Sequence, residues 1–490
     1  MPQFVRRAQP PLDFIPAAYN PWVLRLIHWA LPVFLQVRLR PWLPAGIRRI
    51  DVEQVEHLVD LYAQFEAGKA RFLMAVRHVE VDDPLSGLYL CSRAVARSAK
   101  AKGIALKQPV HTHFIYERGM TIWAGKGIGW LLSRIGGVPI RRGRRPDWVG
   151  LKAARKLMVE GKMPLVVAPE GATNGHSERL GPLEPGVAQL AFWCAEDLQR
   201  ADRSESVFII PIGIRYRYVQ PDWPKLAALL SQLEAKSGLA HSATLASPFS
   251  GDASKDCYLR ILQLGEHLMT TMEAFYARCH HQRFATVAKA DIPKAEAGDE
   301  NPSIPDHDET MLSAEACSQR LQKLLDSALQ VSEQFFGLPG KGTVVDRCRR
   351  LEEASWSYIY REDLADLETL SPLERGLADW AAQEASLREL HMRIAESFVA
   401  VDGQYLRENP SFERCAEISL LMCDMLGRLG GDKLPRRPRL GDRQIKMVVQ
   451  PPIAVTPRLA DYQKDRRSGR VVITAVTEEI RQALEETIER

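Results

Sequence analysis

The chain has 490 residues, which is enough for two or three domains, and its hydrophobic and charged fractions of 46% and 26% are those of an ordinary globular protein. A net charge of +4 is too small to indicate nucleic-acid binding by itself. The eight cysteines form no Cys-x-x-Cys pair and no metal-ligand spacing with histidine, which favours reduced thiols in a cytosolic compartment over a disulfide framework or a zinc site.

The first predicted element is an apolar, tryptophan-bearing helix at residues 22–37, which is shorter than the ~20 residues needed to span a bilayer. A narrow polar stripe on it is followed by arginines, a pattern typical of a helix lying in the surface of an anionic leaflet. The alternative is a core helix packed against its own domain. We assign residues 1–50 to a membrane-interface segment of a peripheral or monotopic protein on the cytoplasmic face. The stripe consists of Arg25, His28, Pro32 and Gln36.

Residues 51–68 predict a second helix, with Asp51 and Gln54 placed as a capping box and Gly68 as its end. A buried strand at 71–76 follows, and a helix from Pro84 to about residue 100 comes after it.

His78 therefore lies at the end of a strand, and Asp83 lies at the mouth of a helix, directly before Pro84. The turn between them can fold the carboxylate back onto the imidazole. Such a pair supplies a base and the group that orients it, which is the minimum for acid–base chemistry near neutral pH. The alternative is a hydrogen-bonded structural histidine beside a capping aspartate.

Strands and helices then alternate up to residue 218, which indicates an α/β sheet with chemistry on loops at the strand ends. A strand at 136–142 ends in arginines, one at 164–168 leads into Glu170 and Gly171, and one at 207–216 contains Pro211.

The last 200 residues change in composition. A long helix at 257–281 precedes a stretch rich in Pro, Asp, Glu and Ala, which predicts a flexible acidic linker at 286–312. Four helical patterns follow, then possible short strands at 445–449 and 471–473 and a closing helix at 477–488. These patterns divide the chain into a domain at 51–285, the linker, and a separate, mainly helical C-terminal domain at 313–490.

Four stretches in this order resemble the sequence blocks of the glycerolipid acyltransferases, which include the lysophosphatidate and glycerol-3-phosphate acyltransferases. They are His78-x-x-x-x-Asp83, the strand ending at Arg142, the Glu170-Gly171 turn and the strand around Pro211. The resemblance covers residues 70–218 and implies a mixed sheet with flanking helices. It also implies that His78 is the general base of an acyl transfer and that Asp83 orients it. No metal or other cofactor is required, because a thiol leaving group has a pKa near ~8.5.

The resemblance further implies that Arg142 grips a phosphate, with Arg141 and Arg144 crowding the same turn. These arginines could also meet an acidic carrier protein or an anionic leaflet, and some of them could be a solvated basic loop. Glu170 is expected to anchor an arginine or to accept a hydrogen bond from the acceptor, and Gly171 to allow the turn.

Departures from the family pattern concern the acceptor more than the reaction. Arg77 and Glu80 stand where the family usually has Asn and Ser, and Thr173 stands where it has a phosphate-binding arginine. The expected activity is transfer of a fatty acyl group from acyl-CoA or acyl carrier protein to lysophosphatidate at a membrane surface, without nucleic acid. Glycerol-3-phosphate or another lysophospholipid is the alternative acceptor, and an inactive lipid-binding or scaffolding protein is the alternative of another class.

Overall fold

The computed structural model describes residues 7–38, 46–141, 147–171, 173–239, 252–284, 314–364, 367–399, 401, 403–432 and 436–489. The acidic linker predicted at 286–312 lies outside these residues, and so do Arg142 and Arg144.

Eight strands form one sheet within the described residues. In chain order they are β1 (Ile47–Glu53), β2 (Ala70–Val76), β3 (His113–Glu117), β4 (Gly137–Ile140), β5 (Leu165–Val167), β6 (Ser206–Tyr218), β7 (Arg443–Val449) and β8 (Ile453–Ala454).

The strand order is β1-β7-β6-β2-β5-β3-β4, and β8 pairs with β6 beyond the end of β7. Strands β6, β2, β5, β3 and β4 run parallel, as do β1 and β7 with each other, whereas β7 and β8 run antiparallel to β6. The carboxyl ends of the five parallel strands therefore share one edge of the sheet with the beginnings of β1 and β7. The mixed sheet with flanking helices is confirmed, as is a helical C-terminal region.

The helices surround this sheet and build the C-terminal region. They are α1 (Pro21–Gln36), α2 (Glu56–Glu66), α3 (Asp83–Tyr89), α4 (Ala96–Ala101), α5 (Met120–Ala124), α6 (Lys126–Arg134), α7 (Trp148–Glu160), α8 (Gly186–Arg200), α9 (Trp223–Ser237), α10 (Ala253–His280), α11 (Ala314–Phe336), α12 (Val344–Ile359), α13 (Pro372–Ser397), α14 (Tyr405–Glu408), α15 (Phe412–Leu429), α16 (Leu459–Lys464) and α17 (Arg466–Glu489). A π-helical segment, Leu90–Val95, joins α3 to α4, and a 3-10 turn, Thr456–Arg458, precedes α16.

The core has two layers because neighbouring residues of a strand point to opposite faces of the sheet. On β2, Phe72 and Met74 pack with α1, α2 and the α3–α4 segment, whereas Leu73 and Ala75 pack with α7, α8 and α17. A third cluster contains residues of α9, α10, α11, α12, α13 and α15. In a further cluster, the extended chain around Ala8 packs on α12 and α13.

The sequence-based domain at 313–490 does not lie wholly apart from the sheet. Its strand β7 is inserted between β1 and β6, and α17 packs on β6 and α8. The sheet is therefore completed by residues that lie more than 200 positions after β6.

Two local predictions are wrong. Residues 51–53 belong to β1, and the second helix begins only at Glu56, because Asp51 and Val52 pair with Lys446 and Met447 of β7. Residues 471–473 lie inside α17, whose face at Val476, Ile480 and Leu484 is buried in the core. Strand pairing and helix packing with distant segments override the local patterns in both places.

Candidate active site

The sequence blocks meet at the carboxyl edge of the sheet. His78 follows β2, Glu170 follows β5, and Arg141 follows β4. Because strands lie about 4.8 Å apart, the end of β4 is about 14 Å from the end of β2, across three strand spacings. This edge is where an open α/β sheet usually places its ligands.

His78 and Asp83 are in direct contact. Nδ1 of His78 lies 2.9 Å from Oδ2 of Asp83, and the same oxygen accepts hydrogen bonds from the backbone N–H groups of Val79 at 2.6 Å and Glu80 at 3.0 Å. A carboxylate is an acceptor, so Nδ1 carries the proton and Nε2 is left with a free lone pair. The side chain of Asp83 is 5% exposed and that of His78 is 28% exposed, so the imidazole reaches solvent and the carboxylate does not.

A tyrosine completes the shell of Asp83. Tyr216, on β6, donates its hydroxyl to Oδ1 of Asp83 at 2.5 Å and lies 3.2 Å from Oδ1 of the neighbouring Asp82. Burial, together with Asp82 and Asp83, raises the pKa of Tyr216 well above 10, which keeps it a donor. Asp82 is itself paired with the buried Arg443 of β7, whose guanidinium lies 4.8 Å from the centre of the Tyr216 ring.

Sequence reasoning missed Tyr216, Asp82 and Arg443. Asp82 is next to Asp83 in the sequence, and Tyr216 lies at the end of the strand that contains the fourth block. Neither position indicates which residue the side chain contacts. Tyr216 and Arg443 are separated by 133 and 361 residues from the aspartates that they bind.

Glu170 is buried and faces the backbone of the histidine. Its Oε1 accepts from the N–H of His78 at 3.1 Å, and its Oε2 accepts from the side chain of Asn174 at 2.6 Å and from the N–H of Gly181 at 2.8 Å. Burial raises the pKa of Glu170, and the charge of Arg77 opposes that rise. With both oxygens occupied by the protein, Glu170 positions the chain at His78 in this structure.

Arg77 holds the loop that follows Glu170. It is fully buried and donates to the carbonyl oxygens of His176 at 2.7 Å, Ser177 at 2.6 Å and Arg179. The C-terminal region grips the same loop, because Glu417 of α15 accepts from the N–H of Ser177 at 2.9 Å. An arginine can make these contacts because it carries five donors, whereas an asparagine carries two.

Gly171 turns the chain after Glu170 with a φ of 72°. A Cβ atom there would come within 1.8 Å of Oε1 of Glu184, so both the backbone conformation and the space require glycine.

Arg141 is placed at the end of β4, where its N–H donates to Asp147 at 2.8 Å and its guanidinium pairs with Glu362 at 2.8 Å. The structure does not bring Arg141 into contact with His78. Arg142 and Arg144 lie outside the described residues.

An edge-located His–Asp pair on a mixed α/β sheet supplies groups that can carry out acid–base chemistry on loops. Comparison with family models adds the particular assignment: residues 101–215 match the family described as Acyltransferase. This match agrees with the resemblance of the same stretches to the glycerolipid acyltransferases. The match includes the second, third and fourth blocks and begins after His78 and Asp83. Comparisons with curated proteins and with solved structures found no match.

Across the described part of the chain, no helix combines the length and the apolar character that crossing a bilayer requires.

Proposed function

We propose that this protein transfers a fatty acyl group from acyl-CoA or acyl carrier protein to the free hydroxyl of 1-acylglycerol-3-phosphate, giving phosphatidate. The observation that carries the proposal is the contact of His78 with Asp83 at the edge of a sheet whose following segments match the acyltransferase family.

The reaction needs a base at the acceptor hydroxyl. Nε2 of His78 removes the hydroxyl proton as the oxygen attacks the thioester carbonyl, and the imidazolium then returns that proton to the departing thiolate. Asp83 holds the proton on Nδ1 and stabilises the imidazolium, while three other donors keep its carboxylate in place. Acyl transfer is then complete, with one thioester broken and one ester formed.

The acceptor is proposed to place its phosphate at the turn after β4, where Arg142 is the principal contact and Arg141 and Arg144 add positive charge. Arg141 is held at this turn by Asp147 and Glu362. Gly171 shapes the neighbouring turn, and Glu170 acts through the backbone of His78 rather than through the acceptor.

Helix α1 is proposed to hold the protein on the membrane surface that contains the acceptor. Its outward residues Trp22, Leu26, Trp29 and Val33 are 73%, 64%, 78% and 52% exposed. An apolar face of this kind, flanked by arginines, suits insertion at the interface of an anionic leaflet, which would make this a peripheral or monotopic protein of the cytoplasmic face.

The deciding experiment measures acyl transfer by the purified protein from labelled donors to a panel of acceptors. The panel contains lysophosphatidate, glycerol-3-phosphate and other lysophospholipids, and lysophosphatidate is expected to be the best acceptor. His78→Ala is expected to lower turnover by ~100-fold or more, the usual scale for a general base. His57→Ala, which changes a partly exposed histidine on α2, is the matched control. Full activity in a well-folded His78→Ala protein would refute the mechanism.

A further inference from the structure

A second basic region lies on the other side of His78 from Arg141. Three arginines, Arg437, Arg439 and Arg443, line a small cleft that is open to solvent. We call it the arginine cleft. Its other lining residues are Glu80, Tyr218, Leu420, Pro438, Leu440 and Gly441.

The sheet places the arginine cleft beside the proposed base. Arg443 begins β7 and pairs in register with Tyr218, the last residue of β6. On the side of β2 opposite β4, the guanidinium of Arg443 pairs with Asp82 in the loop that follows β2. Glu80 links the two places, because its N–H donates to Asp83 while its side chain lines the cleft, and its Cα is at most about 7 Å from that of His78.

Among the described residues that line the cleft, the three arginines outnumber the one acidic residue, Glu80. Arg437 pairs with Asp424 at 2.7 Å and with Glu80 at 3.3 Å, Arg443 pairs with Asp82, and Asp442 pairs with both Arg439 and Arg48. Two more arginines, Arg38 and Arg436, lie within electrostatic range of these groups, as shown by the pKa of Arg38, which is lowered by burial and by the charges of Arg436, Arg439 and Arg443. Burial also raises the pKa of Glu80 to about 7, which adds to the excess of positive charge near neutral pH.

Crowded guanidinium groups repel one another, and an anion between them relieves that repulsion. Arg439 is suited to receive one, since its side chain is 39% exposed and its partner Asp442 is 29% exposed. A solvent-exposed ion pair of this kind contributes little to stability, so a phosphate can replace its carboxylate. Arg443, by contrast, is buried in its ion pair with Asp82, and this pair forms a fixed part of the cleft wall.

The cleft also lies at the end of the proposed interfacial helix. Arg38 follows α1 by two residues, and its guanidinium donates to the carbonyl oxygen of Arg437 at 2.6 Å. A phosphate at the level of a leaflet surface, or one carried by a soluble donor, can therefore approach the cleft beside His78.

We propose that the arginine cleft is a phosphate-ester binding site, distinct from the turn after β4, that the C-terminal segment adds to the sheet edge. The cleft supplies guanidinium groups that ion pairs with Asp424 and Asp82 hold in place. The choice of a glycerolipid headgroup and coenzyme A as candidate phosphate esters rests on the proposed function. The binding of a phosphate ester to the arginine cleft does not depend on that function.

The test is calorimetric titration of the full-length protein with two soluble probes, glycerol-3-phosphate for the headgroup and coenzyme A for the donor. The double variant Arg436→Ala/Arg439→Ala should weaken binding of one of these probes by roughly 10- to 150-fold, the loss expected for charge-assisted phosphate contacts. The weakened probe identifies the source of the phosphate. Asp442→Asn should tighten binding of the same probe, because it releases Arg439 from its carboxylate partner.

The matched control is Arg481→Ala, which removes an exposed, paired arginine from α17 and should change neither affinity. Unchanged binding of both probes by the double variant would overturn the site. Because titration requires no acyl transfer, that outcome is distinguishable from failure of the proposed function, which the His78→Ala assay tests separately.

Discussion

At the residue scale, the carboxylate of the proposed catalytic pair is held by hydrogen-bond donors from outside the two-residue motif. The carboxylate of Asp83 meets His78, two backbone N–H groups and the hydroxyl of Tyr216. These donors hold the carboxylate in place, and its contact with Nδ1 fixes the orientation of the imidazole and the nitrogen that carries the proton. Tyr216 is therefore assigned as a positioning residue, acting through Asp83.

Tyr216→Phe is expected to lower turnover by roughly 10-fold, the low end of the range for a hydrogen bond to a charged group. The acid limb of the pH–rate profile should move to higher pH, because a carboxylate that has lost one donor attracts the imidazole proton more strongly. Tyr62→Phe is the control, since it also removes a buried tyrosine hydroxyl, one that donates to the carbonyl oxygen of His111. A profile that stays in place in the Tyr216 variant would assign this residue to stability alone.

Glu80 provides a pH-dependent prediction of stability. Burial raises its folded-state pKa from 4.5 to about 7, so the folded protein retains a proton that the unfolded chain loses. The free energy of unfolding contributed by this group is therefore fully present below pH 4.5 and falls as the pH rises through 7. Glu80→Gln should gain stability over the parent across this window, by up to roughly 3 kcal/mol at pH 8. Urea denaturation at pH 5 and pH 8 measures the difference, with the exposed Glu160→Gln as a control that should follow the parent at both values.

At the element scale, α1 is apolar on two opposite faces. Leu24, Ile27, Leu31 and Leu35 are buried against the protein, whereas Trp22, Leu26, Trp29 and Val33 on the opposite face are exposed. The polar stripe is narrow and partly covered, since burial and the charge of Arg93 lower the pKa of His28 to about 4. The two interpretations of this segment from sequence, a core helix and an interfacial helix, thus describe different faces of one helix. The inward face packs in the core, and membrane binding by the outward face is our proposal.

Replacing Trp22, Leu26, Trp29 and Val33 with serine is expected to release the protein from anionic vesicles in a flotation assay, because the exposed apolar face supplies the binding free energy. The comparison variant changes Leu373, Leu377 and Trp380 of α13 to serine, which removes exposed apolar side chains from another surface. That variant should still float. Equal flotation of the α1 variant and the parent would show that α1 is not the anchor.

At the scale of the whole molecule, the C-terminal segment is part of the sheet that carries the His78–Asp83 pair. Strand β7 separates β1 from β6, and its Arg443 binds the carboxylate next to Asp83. Helix α15 meanwhile holds the loop that follows Glu170. A contact in the last tenth of the chain can therefore change the geometry at His78.

Ile445→Ala is expected to lower the free energy of unfolding by about 2–5 kcal/mol, because Ile445 is fully buried between the sheet and the helices of α1 and α2. Hydrogen exchange at the β6 amides should accelerate with it, since β7 pairs directly with β6. Val471→Ala, at a 62% exposed position of α17, should stay within about 0.5 kcal/mol of the parent. Unchanged protection of β6 in the Ile445 variant would mean that the C-terminal segment unfolds independently of the sheet.

Much of the architecture and the central pair could be predicted from the sequence, because the signals are local. His78 and Asp83 are five residues apart in one strand–turn–helix unit, and the alternation of strands and helices after them indicates the sheet. The turn glycine Gly171 is likewise recognisable from its neighbours. Such features depend on short-range geometry, which a single segment carries within itself.

The remaining features depend on pairings that no local pattern contains. Residues 51–53 form a strand because β7 arrives beside them from the C-terminal end, and Glu170 meets the backbone of His78 because β5 lies next to β2. Tyr216 and Arg443 reach the aspartates for the same reason, through strands β6 and β7. Likewise, an apolar pattern on two faces of α1 does not say which face meets the core. Long-range strand pairing and the packing of distant helices are collective properties of the folded chain, and they determine these contacts.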